Sequence, residues 1–208
     1  MKRVLLMLLA GATVFAADAP RIVYTKSFPG STPAYVGITV ERSGAATYKE
    51  TPDDDPETLQ LEDSAAAAIF DLAGKLDHFK HPLESGLKIA NMGEKTFRWE
   101  DGSESSEAKF NYSLDMNARA LQDWFERITE SERAFVKFRF AVKHDRLGVE
   151  DSLLQIQSLW DQKRLVGTAQ FLPLFDRVAK DGSYIHMAQE RAATLAGAIR
   201  TMEQAKAQ

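Results

Sequence analysis

Cysteine is absent from this chain of 208 residues. That absence removes disulfide bridges, thiolate metal sites, cysteine nucleophiles and a lipidated N-terminal cysteine. Stability therefore has to come from packing. Histidine is scarce, with four residues and no HExxH pair. There is no Gly-x-Ser-x-Gly elbow, no Ser-x-x-Lys motif at a helix start, and no Walker or dinucleotide glycine pattern, so the common signatures of nucleophilic and nucleotide chemistry are missing. An excess of positive charge is missing too: 26 Lys and Arg stand against 30 Asp and Glu, for a formal charge of −4. A mildly acidic chain is a poor general binder of nucleic acid or of anionic membrane.

What is present begins with a leader. Lys2 and Arg3 precede the apolar run Val4 to Ala12, and Val14-Phe15-Ala16-Ala17 offers small residues for a cut after Ala16 or Ala17. This is the pattern of a secretory signal peptide over residues 1–17, too short for a stable membrane span. Loss of Lys2 and Arg3 would take the formal charge from −4 to −6. No later segment approaches the roughly 18 consecutive apolar residues of a membrane helix, so the mature protein is expected in the periplasm or outside the cell, without stable membrane insertion.

Two regions are expected in the mature chain: an α+β domain over residues 18–130 with two β-hairpins, and a helical domain over residues 131–208. In the first, Arg21 to Thr25 is β-prone, and Val36, Ile38 and Val40 alternate with Tyr35, Gly37 and Thr39. Ser43-Gly44 turns that strand into Ala46 to Lys49. Thr51 to Glu57, with Asp53-Asp54-Asp55 between two prolines, reads as a solvated loop, lacking the spacers and glycine of a calcium loop. Asp63 or Ser64 can cap a helix with Ile69, Leu72, Ala73 and Leu76 on one face. A second hairpin places Phe97 and Trp99 before the turn Asp101-Gly102 and returns through Ala108 and Phe110. Asp115 or Asn117 then caps a helix carrying Leu121, Trp124, Phe125 and Ile128. The expected architecture is an antiparallel sheet with helices on one face.

In the second region, Thr129 and Glu132 have capping-box spacing, predicting a helix from about Ser131 to His144. It has two apolar seams, one of Phe135, Phe138 and Val142, the other of Val136 and Phe140. Two seams predict a hinge element that faces the sheet with one and the later helices with the other. Further helices are expected at Val149 to Gln162, Phe171 to Lys180, and beyond Asp181-Gly182 with Ile185, Ala188, Ala192, Leu195, Ile199 and Met202 on one face.

Phe28-Pro29-Gly30-Ser31-Thr32-Pro33-Ala34-Tyr35, with Ser43-Gly44, Tyr48 and the Asp101-Gly102 hairpin, resembles a small bacterial envelope domain of unknown function. In that family a Cys-x-Gly-x-Cys-Pro-x-Tyr-like loop opens a hairpin. Gly30, Pro33 and Tyr35 match, while Phe28 and Thr32 stand where the cysteines would be, so no thiol role carries over. The resemblance covers about half the chain and implies a fold without an activity. Phe171 to Phe175 through Asp181 to Ile199 looks like one unit of a HEAT-type helical pair; a plain helical hairpin explains the same pattern.

Chemistry is thinly marked. His78 and His81 stand three apart beside Asp77 and Glu84, but two histidines make an incomplete metal site. Neither a metal nor a cofactor is expected. Trp99, Trp124 and Trp160 each fall on an apolar periodic face, as core residues do. The candidate binding residues are Arg139, Lys143 and Arg146, aligned at i, i+4 and i+7. They would dock an acidic partner or a phosphate, or else pair internally with Glu126, Glu130 or Glu150. The expected role is non-catalytic binding of another envelope protein or a polymer. The competing expectation is a hydrolase using carboxylates in a cleft between the two domains.

Overall fold

The alternation of Val36, Ile38 and Val40 resolves into a strand, β2 (Tyr35–Glu41), with all three side chains buried. In the computed structural model, which describes residues 19–206, it is one of the two central strands of a six-stranded sheet. The leader expected over residues 1–17 lies outside the described residues. The other strands are β1 (Arg21–Ser27), β3 (Ala45–Lys49), β4 (Glu57–Gln60), β5 (Glu94–Asp101) and β6 (Glu104–Phe110). Their spatial order is β4-β3-β2-β1-β5-β6, and every pairing is antiparallel. Register places Ile22 between Val40 and Trp99, and Tyr24 between Ile38 and Phe97, so one face is apolar across the sheet. The opposite face carries Thr25, Thr39, Thr47, Thr58 and Thr96, all half-buried or exposed.

Helices α1 (Asp63–Lys75) and α2 (Met116–His144) contribute Ile69, Ala73, Leu121, Phe125 and Ile128 to the core on the apolar face. Phe97 is the centre of that core: it is fully buried, with the rings of Tyr24, Phe79, Phe110 and Phe125 at 5.0 to 5.8 Å. Helices α3 (Gly148–Asp161), α4 (Leu172–Lys180) and α5 (His186–Lys206) close a second core with the latter half of α2. The chain is α+β with a helical C-terminal region, and α4 and α5 pack as a hairpin.

Local details depart from expectation in four places. The second hairpin pairs Asp101 with Glu104, so its two-residue loop is Gly102-Ser103, with the positive φ of 57° carried by Gly102. The acidic loop ends in β4, whose Leu59 is its one buried side chain. At α1 the flanking residue is Glu62, ahead of the expected Asp63 or Ser64 caps, and no side chain caps the helix. The Glu62 carboxylate instead accepts from the Gly167 and Thr168 amides at 3.1 and 2.9 Å and from the Thr168 hydroxyl at 2.6 Å.

The fourth departure concerns α2, which runs for 29 residues through the place where a new helix was expected at Ser131. Thr129 does not cap: its hydroxyl donates to the Phe125 carbonyl at 2.9 Å within the helix. Apolar spacing continues through this stretch without Gly or Pro, and that overrides a local capping-box signal. The boundary between residues 130 and 131 therefore falls inside one helix. The apolar clusters nonetheless divide there, with Ile128 in the first and Ala134 in the second. Between them sit two fully buried polar residues, Ser131 and Glu132.

The start of α2 follows its sequence signal. Asp115 Oδ1 accepts from the Asn117 amide at 2.7 Å and the Ala118 amide at 3.2 Å. Asp115→Ala is expected to destabilise the protein by about 1 kcal/mol, read from the midpoint of urea denaturation.

Candidate functional site

Arg133, Val136, Lys137 and Phe140 recur at i, i+3, i+4 and i+7, so they share one face of α2. That face forms one wall of a cleft of about 710 Å³. The other wall is Tyr48, Lys49 and Glu50 at the end of β3, Asp54 and Asp55 from the acidic loop, and Glu57 at the start of β4. The volume falls within the range of clefts that enclose a small ligand or a short stretch of peptide.

The two apolar seams of α2 have different fates. Phe138 meets Phe175 at 5.4 Å and Phe135 meets Phe171 at 5.2 Å, so that seam packs on the later helices as expected. The Val136 and Phe140 seam does not close against the sheet. Val136 is 37% exposed and Phe140 61% exposed, and both line the cleft. The His144 ring lies 5.1 Å from Phe140 one turn later.

Most charged groups of the cleft are already engaged. Arg133 pairs with Glu50 at 3.2 Å and donates to the Thr32 carbonyl of the Gly30-Pro33-Tyr35 loop. Lys137 pairs with Asp151 at 2.7 Å. Lys49 donates to the Pro52 carbonyl. The Tyr48 hydroxyl donates to Glu50 at 2.7 Å; burial, then that neighbouring carboxylate, pushes the phenol well above its ordinary range. Arg139 grips Glu57 through both of its terminal nitrogens, and this fork holds the Glu57 carboxyl below the ordinary carboxylate range. Asp54 and Asp55 are exposed, and among the described residues no cation pairs with either.

Behind this wall Glu132 is fully buried. Its Oε1 accepts from Gln170 and its Oε2 has no hydrogen-bond partner among the described residues. Burial, with the negative Glu57 nearby, pushes its carboxyl up to about 7 against the opposing effects of Gln170 and Arg139.

Of the three cations expected to form a ridge, Arg139 and Lys143 keep their i, i+4 spacing on α2, and Arg146 lies off the helix. Arg139 is drawn to β4, and its partner is Glu57 in place of the expected Glu126, Glu130 or Glu150. Glu130 binds Arg164 at 2.6 Å, and Glu150 binds Arg191 at 2.9 Å. Lys143 stays exposed on the last turn of α2. Arg146 lies beyond the helix end at Asp145; hydrogen bonds from Ser183 hold Asp181 below its ordinary range, and the Arg146 charge adds a smaller effect in the same direction. The i+7 alignment fails because the helix stops first.

The histidine pair also separates. Asp77, His78 and Phe79 all have positive φ, at 47°, 51° and 66°, a left-handed turn that L-residues adopt at a cost of about 1–2 kcal/mol each. It sends Phe79 into the core and lays His78 on the Trp99 ring at 4.2 Å, while His81 reaches Asp77 at 3.2 Å. Trp99 is buried, and Trp124 and Trp160 pack against the first and second cores respectively. Among the described residues no cluster of three or more His, Cys, Asp or Glu could hold a metal ion, and no helix is long and apolar enough to cross a membrane.

Chemically, the cleft offers an apolar floor, a set of internally matched ion pairs and an anionic lip. Its carboxylates Glu50 and Glu57 are each bound by an arginine, and Glu132 has no surface with which to reach a substrate. The chain matches no family model and is similar to no curated protein and no solved structure, so the reading of this cleft rests on its own geometry.

Proposed function

We propose that the protein is a non-catalytic binding module of the bacterial envelope, exported by its leader, that docks a segment of another envelope protein or polymer in the cleft between β3, β4 and α2. The observation that carries this reading is the exposure of Phe140 and Val136 on the cleft floor, 61% and 37%, while the companion seam of the same helix is packed. Large apolar side chains left open between satisfied ion pairs favour a partner that covers them.

The test is Phe140→Asp. Because the ring is largely exposed, the variant is expected to keep its melting temperature, with a stability change of no more than about 0.5 kcal/mol. Affinity capture of the partner from an envelope fraction is expected to be lost. Undiminished capture by the folded variant would sink the reading, as would turnover of chromogenic glycosides or esters by the wild-type protein that Glu50→Gln or Glu57→Gln abolishes.

A further inference from the structure

Among the described residues, the cleft's Arg133 and Lys137 and the neighbouring Arg139 are paired with carboxylates, while Lys49 rests on a neutral carbonyl. Arg133 is on Glu50, Lys137 on Asp151 and Arg139 on Glu57. An acidic or phosphorylated ligand would have only the Lys49 charge to meet without breaking an ion pair, and it would face the carboxylates of both Asp54 and Asp55. Those two outnumber Lys49 among the charges of the cleft that no ion pair compensates: both are exposed, and no cation pairs with them among the described residues. The floor between is apolar.

Val136 and Phe140 are one helical turn apart, about 6 Å along α2 at 1.5 Å per residue. Side chains on one face of an extended peptide repeat at about 6.6 Å. Two apolar side chains of an extended segment, two residues apart, therefore match the spacing of the floor. The residues between them point the other way, toward the side where charge is wanted.

We infer that the occupant of the cleft is a basic peptide segment in extended form, with alternate apolar side chains on Val136 and Phe140 and Lys or Arg side chains at Asp54 and Asp55. This inference rests on the binding reading above and specifies its partner. It reverses the polarity that the sequence ridge of Arg139, Lys143 and Arg146 suggested, because folding spends Arg139 on Glu57 and leaves the aspartates open.

The measurement is fluorescence anisotropy of labelled hexapeptides with the full folded chain. One peptide alternates lysine with leucine, a second alternates glutamate with leucine, and a third alternates serine with leucine. The lysine peptide is expected to bind and the glutamate peptide to fail. Affinity for the lysine peptide should fall about tenfold in the double variant Asp54→Asn, Asp55→Asn, and by a similar factor when salt rises from 50 to 300 mM. Phe140→Ser should weaken it as well, and Glu104→Gln on the far edge of the sheet should leave it unchanged. Equal binding by the aspartate double variant overturns the inference, as does failure of the lysine peptide to bind at millimolar concentration. Phe140-dependent binding of the serine or glutamate peptide in preference to the lysine peptide also overturns it, while leaving the cleft as a docking site. Loss of Phe140 dependence for every peptide and for the captured partner removes both.

Discussion

Glu132→Gln is expected to stabilise the protein by about 3 kcal/mol at pH 8 and to change its stability little at pH 4. The carboxyl is fully buried between the two apolar cores, with one oxygen unpartnered, and burial pushes it up to about 7 from an ordinary 4.5. The groups that face it are Gln170 from the turn before α4, Glu57 from β4, Tyr48 from β3 and Arg139 two turns further along α2. Glu57 and Arg139 already neutralise one another, so neither serves fully as a counter-charge. The sign follows from proton counts. Between pH 4.5 and 7 the unfolded chain has released this proton and the folded chain still holds it. Stability contributed by the neutral carboxyl is therefore complete below the unfolded value and declines as pH rises through the folded one. Glutamine is neutral throughout and can still accept from Gln170, so the variant escapes the decline. Urea denaturation of both proteins from pH 4 to pH 8 reads the effect directly. Parallel stability curves across that range would show that Glu132 is ionised at no unusual cost.

The acid limb runs the other way. Burial works against ionisation of Glu62 and Asp123, but hydrogen bonds from Thr168 and Gly167 to the first, and from Arg164 and Arg127 to the second, hold both below their ordinary ranges. Their stabilisation is present above those ranges and is lost as pH falls through the lowered values. Wild type therefore has its maximum on the acidic side of neutrality, and Glu132→Gln broadens that maximum toward alkaline pH.

Signals that act within a few residues were legible in the sequence. The alternation around Ile38 and the cap at Asp115 appear where local chemistry placed them, and the second hairpin turns one residue later than expected, at Gly102-Ser103, because a pleat, an orphan amide and a tight turn are satisfied by near neighbours. What lay hidden was pairing over long separations. Arg139 finds Glu57 82 residues away, across a strand of four residues that is too short to show a period and begins beside an acidic loop flanked by prolines. The seam of Val136 and Phe140 was visible as an apolar line, but periodicity reports that a face is apolar without reporting what covers it. The ridge of Arg139, Lys143 and Arg146 loses its last member for a simpler reason: the i+7 alignment needs a helix that continues past Asp145.

The continuity of α2 has the largest energetic consequence. Phe125→Ala and Phe138→Ala are each expected to cost about 3–5 kcal/mol, and both are expected to melt the whole chain in one transition. Each ring is fully buried, Phe125 stacked on Tyr24 at 4.6 Å in the first core and Phe138 against Phe175 at 5.4 Å in the second. Two independent domains would confine each loss to its own half. Here a single helix of 29 residues, about 44 Å long, supplies side chains to both cores. The seam between them is tied by Glu62 to Thr168, by the Ser131 hydroxyl accepting from the Val166 amide at 3.0 Å, and by Arg164 on Asp123 and Glu130. Melting either half of α2 would expose the buried carboxyl and hydroxyl of Glu132 and Ser131 and break those ties, so an intermediate with one core intact is disfavoured. Single-tryptophan variants provide the readout, since Trp99 reports the first core and Trp160 the second. Coincident fluorescence transitions, shifted together by either alanine, are the expected result. If Phe138→Ala lowered the Trp160 transition and left that of Trp99 in place, α2 would be two helical segments in energetic terms, and the division near residue 130 would mark a boundary between separately folding units.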